Sequence, residues 1–150
     1  KLQRQTGMME KNNWTFSFTA YEILEQDGKP AGKIVHVPEN IDYDHYLRNT
    51  IIGCLTVMID RRKTGPFRMP LLKTSHDMAL WLALLKQGIV AHGIDEVLAS
   101  YRVAPSSNTA NKLKAASGVW HVYREVEKLP LFPALFNFAG YIYHAVKKRI

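Results

Sequence analysis

The chain has 150 residues, 47% of them hydrophobic, with 20 Lys and Arg against 13 Asp and Glu and a formal net charge of +7. That length and apolar content suit one globular domain, and the single cysteine, Cys54, excludes an internal disulfide and agrees with a reducing compartment. The positive charge does not read as a nucleic-acid surface, because the basic residues do not alternate with exposed aromatics as a base-stacking platform requires.

No signal peptide opens the sequence, and Lys1-Leu2-Gln3-Arg4-Gln5 reads as the middle of a polar helix, so further chain is expected upstream. Trp14 to Tyr21 alternates, with Trp14, Phe16, Phe18 and Ala20 on one face and Thr15, Ser17, Thr19 and Tyr21 on the other, the pattern of a half-buried strand. Asn13-Trp14-Thr15 matches a glycosylation sequon by pattern only. Asp27-Gly28 signals a turn, Lys33 to Val37 the returning strand of a hairpin, and Pro38 its end. Asp42 reads as the N-cap of a short helix reaching Arg48, followed by a strand over Leu55 to Asp60. Gly65-Pro66 and Pro70 mark an irregular crossing.

Met78, Trp81, Leu82 and Leu85 then fall at i, i+3, i+4 and i+7, an apolar helical face that Gly88 terminates. Asp77 sits in the first turn of that helix, where unpaired backbone N–H groups and the helix dipole favour a carboxylate. An ionised aspartate with restricted freedom suits a general base. Thr74-x-x-Asp77 equally fits a capping box that closes the helix end, and the residues alone leave both readings open.

Strands are expected at Ile89 to Ala91 and at Val97 to Val103, then a loop at Pro105-Ser106-Ser107-Asn108. A helix spans about Thr109 to Lys128, with Leu113, Ala116, Trp120 and Tyr123 sharing a face, and Pro130 and Pro133 break it. The last helix places Leu135, Phe138, Ala139, Ile142 and Val146 at helical spacing. Leu129 to Val146 is interrupted by prolines, Asn137 and His144, and falls short of a membrane span. Its aromatics and the terminal Lys147-Lys148-Arg149 fit a helix lying in a bilayer interface, the plain alternative being a helix packed on the domain. Other basic residues gather at Arg61-Arg62-Lys63 and at Lys112 and Lys114, a distribution suited to anionic lipid or to a diphosphate. The six histidines show no zinc spacing, and Cys54 has no activating base near it in sequence.

His76-Asp77, three residues and Trp81 resemble the acceptor-side motif of family-two glycosyltransferases with the GT-A fold. Ile52-Gly53-Cys54-Leu55-Thr56-Val57-Met58-Ile59-Asp60-Arg61 is similar to that family's strand entering the acceptor site. Glu96 to Val103, followed by Ser106, Ser107 and Lys112, resembles its late strand and basic loop, and the opening Lys1 to Gln5 its helix after the metal-binding Asp-x-Asp. The matches span nearly all of residues 1 to 112. No Gly-rich phosphate loop and no Asp-x-Asp occurs in the chain; Asp42-Tyr43-Asp44 follows Pro38-Glu39-Asn40-Ile41 rather than a buried apolar strand.

The resemblance implies an α/β chain carrying part of a GT-A fold, with a mixed sheet, flanking helices and a helical tail. Residues 1–107 would form the acceptor-side half of the catalytic domain and 108–150 the C-terminal amphipathic helices. It implies Asp77 as the base of an inverting transfer, with Gly53, Cys54, Thr56, His76 and Trp81 along the acceptor cleft. Arg102, Ser106, Ser107 and Lys112 would meet the donor diphosphate. His76 stands where relatives often carry glutamate or glutamine, and Ala104 where many carry histidine or serine. The whole enzyme would be bacterial, would use a divalent Mg or Mn held outside this chain, and would work at the cytoplasmic face of the plasma membrane. It would transfer a sugar from a nucleotide-sugar to a surface glycan or its lipid carrier. The alternative is a catalytically inert remnant that binds membrane or a partner.

Overall fold

The computed structural model describes residues 1–103 and 112–147. Helix α1 (Leu2–Lys11) leads into strand β1 (Phe16–Leu24) and, across a turn, β2 (Pro30–Val35). The short strand β3 (Asn40–Ile41), helix α2 (Tyr43–Arg48), a 3-10 turn at Cys54–Thr56, strand β4 (Met58–Ile59) and helix α3 (Arg61–Thr64) follow. Helix α4 (His76–Leu85), strand β5 (Ala91–Arg102), helix α5 (Lys112–His121), a π-helical turn at Val122–Val126 and helix α6 (Leu131–Lys147) complete the chain.

The five strands form one mixed sheet in the order β2-β1-β5-β3, with β4 pairing the start of β1. β1 and β5 run parallel; the other pairs are antiparallel. This is the expected α/β architecture with flanking helices and a C-terminal helix, consistent with part of a GT-A fold.

β1 is not half-buried. Phe16, Phe18 and Ala20 are fully buried, and so are Ser17 and Thr19 on the opposite face. The polar face is covered because Gln5, itself fully buried on α1, donates from Nε2 to Ser17 Oγ (3.1 Å) and to the Thr56 carbonyl (2.8 Å). A period-two pattern of polar residues thus marks a hydrogen-bonded interior rather than a solvated face.

Two further expectations change. The strand expected over Leu55 to Asp60 shrinks to Met58–Ile59, because Cys54–Thr56 winds into the 3-10 turn, closed by Thr56 Oγ1 donating to the Gly53 carbonyl at 2.7 Å. The two strands expected between Ile89 and Val103 are one, β5, with two register shifts against β1, of which the first is the larger. Its register against β1 passes from Thr19 opposite Ile94 to Ala20 opposite Val97, leaving Asp95 and Glu96 as the excess residues. Freed from the ladder, Asp95 accepts from the Val37 N–H (3.0 Å) and faces His36, while Glu96 pairs with Arg4.

The core joins Phe16, Phe18 and Ala20 of β1 to Tyr46 and Leu47 of α2 and to Val119, Val122, Tyr123 and Ala134 of the C-terminal helices. Through its middle runs α4, which buries Ala79, Leu80 and Leu84 as well as the expected Met78, Trp81, Leu82 and Leu85. The sequence from 109 to 128 is not one straight α-helix. After His121 it opens into the π turn, where the Tyr123 hydroxyl donates to the Leu47 carbonyl. Leu113, expected on the packed face, is exposed.

Gln5→Leu should lower stability by about 1–3 kcal/mol, since it leaves the Thr56 carbonyl buried without its donor; urea denaturation measures this. Asp95 tests the bulge. The Val37 N–H, and secondarily His36, hold its carboxyl below the usual aspartate range. Its contribution is therefore present above the unfolded-state value and lost as pH falls through the lower folded one. Asp95→Asn should flatten the acid limb of the stability curve by less than about 1 kcal/mol, as expected for a solvated group.

Candidate active site

Helix α4 begins at an unusual turn. Its N-cap, Ser75, has left-handed backbone angles (φ 58°, ψ 24°) and makes no side-chain capping bond. The capping box that Thr74-x-x-Asp77 could form is absent. Instead Asp77 Oδ1 accepts from the adjacent Met78 N–H at 2.9 Å, which turns the half-buried carboxylate along the first turn of the helix.

The turn is fixed by close approach of α5. A Cβ on Gly118 would lie 2.5 Å from Thr74 Oγ1 and 2.6 Å from Ser75 Oγ, so a side chain there would force both hydroxyls to move where α5 rests on this turn. Between them lies a cavity of about 200 Å³ lined by Tyr46, Thr50, Ile52, Thr74, Ser75, Asp77, Met78, Ala115, Val119 and Tyr141. It combines apolar side chains with one carboxylate, the aliphatic hydroxyls of Thr50, Thr74 and Ser75, and two tyrosines, Tyr46 and Tyr141. Two larger clefts, about 400 and 480 Å³, lie along α1 and contain none of the residues singled out for chemistry.

Complete burial pushes the Tyr46 hydroxyl well above its ordinary range, and the Asp77 charge adds to this. Partial desolvation, then Asp77, push the Cys54 thiol up, against a smaller opposing effect of Lys1. A raised thiol is a poor nucleophile at neutral pH, so Cys54 carries no attack of its own.

Of the residues chosen from the sequence, Asp77 lines this cavity. His76 is half-buried beside it as the first residue of α4. Gly53 and Cys54 belong to the 3-10 turn, and the Thr56 hydroxyl is already committed to the Gly53 carbonyl. Trp81 lies in the core, edge-on to Phe16 at 5.3 Å, and its indole Nε1 finds no partner among the described residues. Arg102 ends β5 at the surface, its guanidinium 3.5 Å from where a Gly28 Cβ would stand, and it does not line this cavity. Lys112 is exposed at the start of α5, and Ser106 and Ser107 lie outside the described residues. The cavity also recruits Thr50, Ser75 and Tyr141, which sequence reasoning missed. Only Tyr141 carried a signal, as an aromatic at helical spacing to Phe138.

Among the described residues no cluster of His, Cys, Asp or Glu is placed to hold a metal ion. The Mg or Mn implied by the resemblance therefore finds no fitting ligands in this part of the fold.

Over 150 residues, the whole chain is 49% identical to TuaG of Bacillus subtilis, named for glycosyl transfer in teichuronic acid biosynthesis, and covers 60% of it. The chain is a homologue of bacterial glycosyltransferases. It is also 36% identical over 149 residues, 99% of the chain and 57% of the relative, to WfgD of Escherichia coli. That relative's name gives it a UDP-glucose donor and an N-acetylglucosaminyl-diphosphoundecaprenol acceptor. A second Escherichia coli glucosyltransferase with the same donor and acceptor in its name, WfaP, is 36% identical over 76% of the chain and 44% of its own length. The chain thus spans roughly three-fifths of the length of TuaG and of WfgD. No family model and no solved structure matches it.

Gly118→Ala should displace the Thr74–Ser75 turn. The expected cost is about 1–3 kcal/mol of stability, measured by thermal melting, together with altered tryptophan fluorescence from Trp81 below the turn.

Proposed function

We propose that this chain supplies the acceptor-side residues of an inverting glycosyltransferase, with Asp77 as general base. The observation that carries the reading is Asp77 itself: a carboxylate at the first turn of α4, one oxygen held by the Met78 N–H, facing a cavity lined by hydroxyls. Its other oxygen would take the proton from an acceptor hydroxyl while the hydroxyl's own oxygen forms the new bond to the anomeric carbon. The bond from that carbon to the nucleotide diphosphate breaks in the same displacement, and the leaving diphosphate carries away its electron pair.

Arg102, Ser106, Ser107 and Lys112, around the segment after β5, are the candidates to meet that diphosphate, an arginine fork and a lysine being suited to phosphate oxygens. The rest of the donor site, and any divalent cation, would come from sequence outside these 150 residues. Gly53, Cys54, His76 and Trp81 would shape the acceptor side indirectly, through the 3-10 turn and the seating of α4. By analogy with the relatives, the donor is a nucleotide-sugar and the acceptor a surface glycan or its lipid-linked precursor. An acceptor on a lipid requires work at a membrane surface, at the cytoplasmic face where nucleotide-sugars are found. Residues 132–150 are the candidate contact.

Asp77→Asn, measured in a protein that also carries the donor-binding residues, should lower kcat by about 10²- to 10⁴-fold, the usual yield of a positioned base. The fold should persist, because an amide oxygen can still accept from the Met78 N–H. Radiolabelled sugar transfer to a lipid-linked acceptor is the assay. Undiminished turnover with a lowered melting temperature would reassign Asp77 to closing the helix end.

A further inference from the structure

Helix α6 has two faces with different fates. Ala134 is fully buried, and Phe138 and Tyr141 pack against the core on the same side. At 100° per residue, Leu131, Ile142, Leu135, Val146, Ala139, Phe132, Tyr143, Phe136 and Lys147 follow one another around an arc of about 160° on the other side. Every one of them is exposed, Phe132 to 83% and Phe136 to 65%. All but Lys147 are apolar or aromatic. This is the face expected from sequence to be the helix's apolar side, except for Phe138, which turns inward. That side faces outward.

The charge around the arc is one-sided. The 17 residues of α6 contain no Asp or Glu. Lys147 lies at the edge of the arc beside Phe136. Arg48 of α2 lies along the same edge, its guanidinium 5.9 Å from the Phe136 ring centre and its stem against Gly140. A broad apolar surface with aromatic rings and a cationic border matches the headgroup region of an anionic bilayer, where rings settle at the interface and cations meet lipid phosphates. No described helix is long and apolar enough to cross a membrane, so the contact is a helix lying in the interface plane.

The same helix borders the Asp77 cavity, because Tyr141 projects from the packed side into its lining. We infer that the exposed face of α6 seats in the headgroup layer of an anionic bilayer and so holds the Asp77 cavity beside that layer, selecting acceptors carried on a lipid. The selection of acceptor rests on the transfer reading; the seating does not.

Vesicle co-sedimentation of this chain tests the seating. Binding to phosphatidylglycerol-containing vesicles should exceed binding to pure phosphatidylcholine and should weaken as salt is raised. Phe132→Ser with Phe136→Ser should reduce partitioning by roughly tenfold or more, given the apolar area removed from the interface. Because both side chains are exposed, circular dichroism and melting should stay unchanged. Leu113→Ser, at an exposed position on α5, should leave binding unaltered. Equal partitioning by the double variant and the parent would overturn the inference. So would a parent that ignores vesicles but self-associates in sedimentation velocity through these two phenylalanines, which would assign the face to a second copy. Asp77→Asn should bind vesicles like the parent, so loss of transfer and loss of seating are separately readable. In a transfer-competent protein, the double variant should raise KM for a lipid-linked acceptor in vesicles while leaving that for a water-soluble analogue unchanged. Equal effects on both would refute the selection of acceptor.

Discussion

Strand β1 has cover on both faces, and the arrangement of the molecule follows from that requirement. One face is apolar and seats α4. The other carries Ser17 and Thr19, which burial would penalise severely without partners. Gln5 answers Ser17 with one of its two donors, and its other goes to the carbonyl of Thr56. Thr19 donates to the Ala20 carbonyl. A single amide on α1 therefore ties the first helix, the central strand and the 3-10 turn together, and breaking it loosens three elements at once. The tight turn at Cys54–Thr56 belongs to this bracket.

On the apolar side, α4 is surrounded rather than merely docked. It lies beneath α2, the π turn and the sheet, so its axis has little freedom. A helix held this firmly is a suitable mount for a functional group at its end, since the terminal turn inherits the rigidity of the rest. Gly118 fixes that turn from the outside. Asp77 is therefore located by packing at two levels, the buried helix body and the close passage of α5, with its own hydrogen bond to Met78 setting the final orientation.

Much of this was legible from periodicity. The Asp42 cap forms as expected, its side chain accepting from the His45 N–H at 2.8 Å, and the hairpin and α4 lie where their patterns place them. What failed shares a cause: patterns report which residues are apolar, not what lies on the other side. Ser17 and Thr19 looked solvated because nothing local reveals Gln5. Asp95 and Glu96 looked like a gap between strands because a bulge has no signature until its partner strand is known. Asp77's place in the first turn of α4 was legible from the helix pattern, but its cavity mate Thr50 was not, because it arrives from a loop brought close only in three dimensions. Tyr141 comes from a distant helix and could be seen only as a member of an apolar stripe.

Ser75 holds left-handed backbone angles with no side-chain capping bond to offset them. A non-glycine residue in the left-handed region carries a conformational cost of about 1 kcal/mol, and here it lies two residues before the carboxylate that lines the cavity. Glycine, or to a lesser degree asparagine, would remove most of that cost. A lineage under pressure for thermal robustness alone should therefore drift toward glycine at this position, gaining stability while letting the turn wander. Retention of serine would record the opposite pressure, for a stiff approach to the cavity at the expense of a small, permanent handicap in folding.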